Sequence, residues 1–200
     1  FIRLLQALPE MALDSQTAIA VTQAIGDWLD SDTMTRPYGA EDDFYSGNSP
    51  PYRAANRAMA SVSELRAVAN VTPELYRALA PLVTVWPQVP AALNIHTAAL
   101  PLLRALNGDN ELQPLSETDG EALFLRQRSE TGFAGIDDML EDATFADKEL
   151  ADVRSLLGES SSWFLLAAEV EVADRNMRLY SVLHRDERTV RAVARASGSL

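Results

Sequence analysis

Ser162–Trp163–Phe164–Leu165–Leu166–Ala167–Ala168–Glu169–Val170–Glu171–Val172 is the stretch that decides the fold, because the hydrophobic period of the chain changes there. The run is rich in aromatic and β-branched residues, and Glu169–Val170–Glu171–Val172 alternates as a half-buried strand does. Asp174–Arg175–Asn176 reads as a turn, and Met177–Arg185 alternates again. Asp186–Glu187 turns once more before a third run through Thr189, Val190, Ala192, Val193 and Ala194. The spacing predicts three antiparallel strands in a meander. Three strands alone are marginal in water, so this sheet needs a helix across one face or additional strands.

Upstream of that stretch the period is helical. Ala18, Val21, Ile25, Trp28 and Leu29 keep a three-to-four residue spacing behind a cap at Asp14 or Ser15. Ser61–Val62–Ser63–Glu64 has the form of a capping box ahead of Leu65 and Val68. Thr72–Pro73–Glu74 combines a cap, a proline at the first helical position and an acid at the positive end of the dipole. Leu75, Leu79, Leu82 and Val83 then line one face. Thr97 is expected to cap a helix carrying Leu100, Leu103 and Leu106 that ends near Asn107–Gly108. Ser116 is expected to start another through Leu123 and Leu125, and Lys148–Leu157 a last one closing at Gly158. The expected architecture is therefore α+β, with a helical domain over 1–160 and a small antiparallel sheet over 161–200.

The charge divides at the same place. Residues 1–162 hold 24 acids and 11 bases, whereas 163–200 hold 5 acids and 6 bases. Over 200 residues the net charge is −12, which argues against a nucleic-acid partner, since that affinity rests on Lys and Arg neutralising phosphates. With 47% hydrophobic residues the chain can bury a real core. Lys148 is the sole lysine and no glycine-rich loop precedes it, which excludes a Walker-type phosphate loop. Cysteine is absent, so disulfides, thiolate metal sites and cysteine nucleophiles are excluded together. Ala78–Leu103 is uncharged and long enough to span a bilayer, but Pro81, Pro87, Pro90 and Pro101 interrupt it. It reads better as a buried helix–loop–helix, and no signal peptide is visible.

The most informative chemistry lies in Asp27–Trp28–Leu29–Asp30–Ser31–Asp32 and Gly39–Ala40–Glu41–Asp42–Asp43–Phe44–Tyr45. Six carboxylates fall within seventeen residues, with Arg36 as the only counter-charge. The negative end of a helix dipole makes that crowding worse. Calcium would offset the repulsion, being a hard cation that takes six to eight oxygens, whereas magnesium tolerates crowded protein ligands poorly. The spacing is not that of an EF-hand, and a solvated acidic loop is the alternative reading.

Other groups point to less. His96 and His184 read as structural or surface histidines. Ser160–Ser161–Ser162 lacks the Gly-x-Ser-x-Gly elbow. Asp137, Asp138, Glu141, Asp142, Asp147, Glu149 and Asp152 read as solvated helix faces. Val62–Val83 and Asn94–Leu106 have a helix–hairpin–helix flavour, the basis of an alternative nucleic-acid-binding reading. The Ala69–Asn70–Val71 hairpin, however, has neither glycine nor a nearby lysine to meet a phosphate.

The acidic blocks just quoted, followed by Pro50–Pro51–Tyr52–Arg53–Ala54–Ala55–Asn56–Arg57, resemble the minor pseudopilin K family of type II secretion. Ser61–Arg66, Val71–Tyr76 and Leu93–Ala98 continue that resemblance in order. It implies a structural protein with no catalytic role, in which a pilin-type sheet carries a large inserted helical domain. It also implies calcium in the helical domain, which we assign to Asp27, Asp30, Asp32, Glu41, Asp42 and Asp43. The implied partners are minor pseudopilins I and J at the tip of a periplasmic pseudopilus, where the complex starts assembly and supports export across the outer membrane. Other pseudopilins, exoproteins and the outer-membrane secretin are further partners to consider. The family begins with a hydrophobic inner-membrane helix and an early strand, neither of which precedes Phe1. The chain is therefore expected to be a periplasmic fragment whose only membrane contact would come through that helix.

Overall fold

Asp14 is the cap that starts the longest helix, and its carboxylate accepts from the Thr17 amide at 3.0 Å. The computed structural model describes residues 1–108 and 111–197. A short helix α1 (Ile2–Gln6) precedes this one, α2 (Ser15–Leu29). Of the apolar stripe read from the sequence, Ala18, Val21 and Trp28 are buried with Ala24, Leu4, Leu5 and Leu8, whereas Ile25 is partly buried and Leu29 exposed. A single turn, α3 (Asp42–Tyr45), follows an extended loop. Thr72 caps α4 (Pro73–Leu79) by accepting from the Leu75 amide, as the Thr–Pro–Glu signal requires.

The capping box at Ser61 forms, with the Glu64 carboxylate accepting from the Ser61 amide, but the turns it opens (Val62–Ala67) are 3₁₀ rather than α. Two further expectations are corrected. Thr97 does not cap the helix carrying Leu100 and Leu103; that helix, α5 (Leu100–Arg104), begins after Ala99, with Pro101 in its first turn. Proline has no amide hydrogen to donate and is tolerated in a helix's first turn, where that hydrogen would lack an intrahelical partner, so Pro101 sets the start. Ser116 does cap α6 (Glu117–Arg128), and α7 (Ile136–Leu140) follows.

The last helix, α8 (Ala151–Ser155), is shorter than the expected Lys148–Leu157. Leu157–Gly158 instead pairs in parallel with Leu93–Asn94, giving a two-stranded ladder of β1 (Leu93–Asn94) and β2 (Leu157–Gly158). Pairing of two-residue strands so far apart in sequence leaves no periodic signal to read.

These helices enclose two apolar clusters. The first joins α1, α2, α3 and α4 through Leu5, Val21, Trp28, Tyr45, Leu75 and Leu79. The second joins α5 to α8 through Ile95, Leu103, Leu123, Met139, Phe145 and Val153. Gln127 is buried within the second and donates to the Ile95 and Ala98 carbonyls at 2.7 and 3.1 Å.

The meander forms as the alternation predicts: β3 (Trp163–Val172), β4 (Arg175–Asp186) and β5 (Thr189–Ala196) run antiparallel in the order β3-β4-β5. Trp163 faces His184 and Val172 faces Arg175, while a bulge interrupts the β4–β5 register between Val182 and Leu183. The first turn falls at Ala173, which takes a left-handed φ of 56°, one step before the expected Asp174–Asn176. Residues 198–200, the end of the expected 161–200 unit, lie outside the described residues. The Trp163 ring stacks on Trp86 of the helical part at 6.2 Å and on His184 at 4.4 Å. Ser181 and Val182 are buried, but Phe164, Leu165, Leu166, Val170, Val172, Met177 and Leu179 are exposed.

What places the acidic stretch is an aromatic trio. Tyr45 is fully buried, meets Trp28 edge-on at 5.2 Å and stacks on Tyr52 at 5.2 Å. Its hydroxyl accepts from the Ala69 amide at 3.2 Å, tying α3 to the turn before α4. Tyr45→Phe leaves that buried amide without a partner and is expected to lower unfolding free energy by about 1–3 kcal/mol in urea titration.

Candidate metal centre

α2 ends at Asp30, whose extended backbone turns the chain out of the helix into the loop that carries Asp32 and Arg36. The chain returns at Gly39–Ala40–Glu41, and Glu41 stands at the N-terminal end of the single turn of α3 without a side-chain bond to it. Helix end and loop return thus bring together Asp30, Asp32 and Glu41, each offering a carboxylate oxygen within 4.8 Å of the other two. An ion with metal–oxygen distances of 2.3–2.6 Å spans opposed ligands about 5 Å apart, so this spread suits calcium.

The three differ in environment. Glu41 is 4% exposed, and neither of its side-chain oxygens has a hydrogen-bond partner. Asp30 uses one oxygen to accept from an Arg36 guanidinium nitrogen at 2.5 Å, while its other oxygen is buried without a partner. Asp32 is exposed and accepts from the Met34 amide at 2.8 Å, which orders the start of the loop. A buried carboxylate with no donor is costly unless a cation or proton answers it, and these two residues hold three such oxygens.

The structure draws the other three sequence-predicted ligands elsewhere. Asp27 is fully buried and accepts from the guanidinium of Arg36 and from the Arg36 amide, so both of its oxygens are engaged. Asp42 accepts from the Ala54 amide at 3.0 Å and lies 3.8 Å from Arg53, anchoring the 50s segment to α3. Asp43 is exposed, and its carbonyl accepts from the Ser46 hydroxyl. The reason is positional: on a one-turn helix, successive side chains diverge by about 100°, so Glu41, Asp42 and Asp43 face different neighbours.

Sequence reasoning missed Asn56. Its amide nitrogen donates to the Asp32 carbonyl at 3.2 Å, and its side-chain oxygen is buried without a partner. The residue takes a left-handed φ of 47°, a conformation asparagine tolerates better than most. A lone asparagine carries no periodic signal, and only the fold brings it to the loop.

The remaining candidates behave as structural groups. His184 packs on Trp163, and the acidic run on α7 and beyond is held by cations: Asp138 and Asp142 pair with Arg126, and Asp137 with Arg154. Burial would raise the Asp142 carboxyl, but the Thr144 amide and hydroxyl and Arg126 outweigh it and hold it low.

A mostly helical part holding a cluster of carboxylates, joined to a three-stranded antiparallel meander, defines the class as an α+β protein with an anionic centre. The family model "Type II secretion system (T2SS), protein K" matches residues 1–88. Type II secretion system protein K of Pectobacterium carotovorum is 31% identical over 96% of this chain and 58% of its own length. The Pseudomonas aeruginosa protein of that name is 33% identical over 96% of this chain and 55% of its own. Among solved structures, a chain of the GspK–GspI–GspJ complex of the enterotoxigenic Escherichia coli type 2 secretion system superposes with a TM-score of 0.79 at 25% identity. The match covers 98% of this chain and 69% of that one. In sequence and in fold the chain is similar to the type II secretion system protein K family. It spans just over half the length of these curated relatives.

The site carries a pH signature when free of metal. Burial first, then the charges of Asp27, Asp30, Asp32 and Asp42, push the Glu41 carboxyl above its ordinary range. The folded chain then binds that proton more tightly than the unfolded chain does, so stability falls as pH rises from the ordinary glutamate value through the raised one. In chelator-treated protein, wild type minus Glu41→Gln is expected to show a melting-temperature difference that falls as pH is raised above about 4.3 in a pH series of thermal melts.

Proposed function

We propose that this chain is the helical part and part of the sheet of a minor pseudopilin, acting at the tip of a type II secretion pseudopilus. In this reading it assembles with minor pseudopilins I and J on the periplasmic side of the inner membrane, starting the pseudopilus that supports protein export. The observation that carries the assembly reading is the likeness to a chain of the GspK–GspI–GspJ complex over 98% of the residues. Two features of the chain support it. The exposed apolar side chains of β3 and β4, Phe164, Leu166, Val170, Val172, Met177 and Leu179, form a face that assembly would bury. The bulky helical part gives a subunit that caps a stack rather than extends it.

A calcium ion held by Asp30, Asp32 and Glu41 is part of the same proposal. The unpartnered oxygens of Glu41 support it, because a divalent cation answers the charge that no protein donor reaches. The unpartnered side-chain oxygen of Asn56, whose amide nitrogen donates to the Asp32 carbonyl, would be a further neutral ligand, with water on the exposed side of Asp32. The ion would supply no reaction. It would fasten the end of α2 to α3 and so stiffen the part of the molecule that carries the site.

Two measurements test the proposal. Calcium at about one hundred times its dissociation constant adds about 2.7 kcal/mol to unfolding. For a chain of this size that corresponds to a melting temperature roughly 5–10 °C higher than in EGTA. Glu41→Gln and Asp32→Ala are expected to abolish the difference, and an unchanged melt in the wild-type chain would refute the ion. For assembly, the chain in its full-length context is expected to co-purify with pseudopilins I and J, and no association at micromolar concentration would refute the tip role.

A further inference from the structure

We infer that Asp27 and Arg36 form a positioning clasp that assembles the cation site in advance, without either residue touching the ion. The inference rests on the calcium reading above and concerns how Asp30 comes to face the ion. One guanidinium nitrogen of Arg36 bridges the buried Asp27 and the outer oxygen of Asp30, the latter at 2.5 Å. The Arg36 amide returns to the second oxygen of Asp27 at 3.2 Å. Both oxygens of Asp27 are thus engaged by Arg36, and Asp30 has one oxygen occupied and the other buried without a partner. A carboxylate held at one oxygen has a fixed rotamer, so the clasp decides which way the free oxygen points.

The loop is built around this contact. The Arg36 guanidinium lies against Gly26, where a Cβ would stand 3.1 Å from its carbon, and Asp27 lies against Gly39, where a Cβ would stand 1.9 Å from a carboxylate oxygen. Side chains at either glycine would push the clasp apart. The Tyr38 amide also donates to Gln23 of α2 at 2.8 Å, so the loop is pinned to the helix at both 36 and 38 before it delivers Glu41. Preorganisation of this kind raises affinity by removing the cost of ordering the loop on binding.

The inference has a sharp sign. Arg36 is a cation beside a cation site, so by relief of Coulomb repulsion alone its removal should tighten calcium binding. A positioning role requires the reverse. Arg36→Gln and the charge-neutral change Gly39→Ala are each expected to weaken calcium binding at least tenfold by calorimetry, with native circular dichroism retained. Terbium bound in place of calcium, with its luminescence lifetime compared in H₂O and D₂O, is expected to carry at least one more coordinated water in both variants than in wild type. That readout follows the ligand set and would not move if the residues served stability alone. Gly39→Ala keeps the test open if Arg36→Gln does not fold. If wild type binds calcium, Glu41→Gln does not, and the two clasp variants bind as tightly as wild type or more tightly, the clasp is overturned while the ion stands. If wild type itself binds no calcium, the calcium reading falls and the clasp with it.

Discussion

A carboxylate placed in a protein interior without a donor is among the costlier arrangements a fold can contain, and Glu41 is one. Its burial follows from the aromatic trio of Trp28, Tyr45 and Tyr52, which holds α3 down on the end of α2. The segment cannot relax outward without exposing Tyr45, and Glu41 is the residue that starts that segment. Apolar packing thus forces a charge to where water does not reach it, and Asp30 and Asp32 add charge of the same sign. The neighbouring buried acid, Asp27, shows the contrast: it meets an arginine at both oxygens and leaves nothing unanswered. One acid stabilises the loop, and the other sets a demand that a divalent cation would satisfy.

Other charges follow the ordinary rules. Arg126 spans Asp138 and Asp142 across α6 and the end of α7, and its guanidinium also lies 5.1 Å over the Phe133 ring. These contacts fasten the second cluster from outside, where salt bridges contribute little individually but fix the register of short helices. Most of the helices are too short to be stable alone, so their order comes from the two cores and from caps at Asp14, Ser61, Thr72 and Ser116. The sheet relies far less on the helical part, which reaches it chiefly through the stacked rings of Trp86, Trp163 and His184.

Much of this was legible along the chain because the signals are local. Caps act over three residues, the helix period over four and the strand period over two, so α2, α4, α6 and the meander could be read from spacing. What could not be read depends on contacts between distant segments. The β1–β2 ladder joins residue 93 to 157, the turns after Ser61 tighten to 3₁₀, and α5 starts where Pro101 lets it. The acidic stretch itself stood out by its crowding, and Asp30, Asp32 and Glu41 were among the six acids it contains.

The amino-acid order by itself determined that a helical part precedes an antiparallel meander, that the anionic centre lies between Asp27 and Asp43, and that the charge disfavours a phosphate-backbone partner. Tertiary structure alone decided which acids converge. Spacing reports which side chains could meet, but burial and competition among donors decide which do: Arg36 takes Asp27, the Ala54 amide takes Asp42, solvent takes Asp43, and Glu41 is left facing Asp30 and Asp32. Asn56 joins them only because the chain folds back there, a contact across twenty-four residues that no local period encodes.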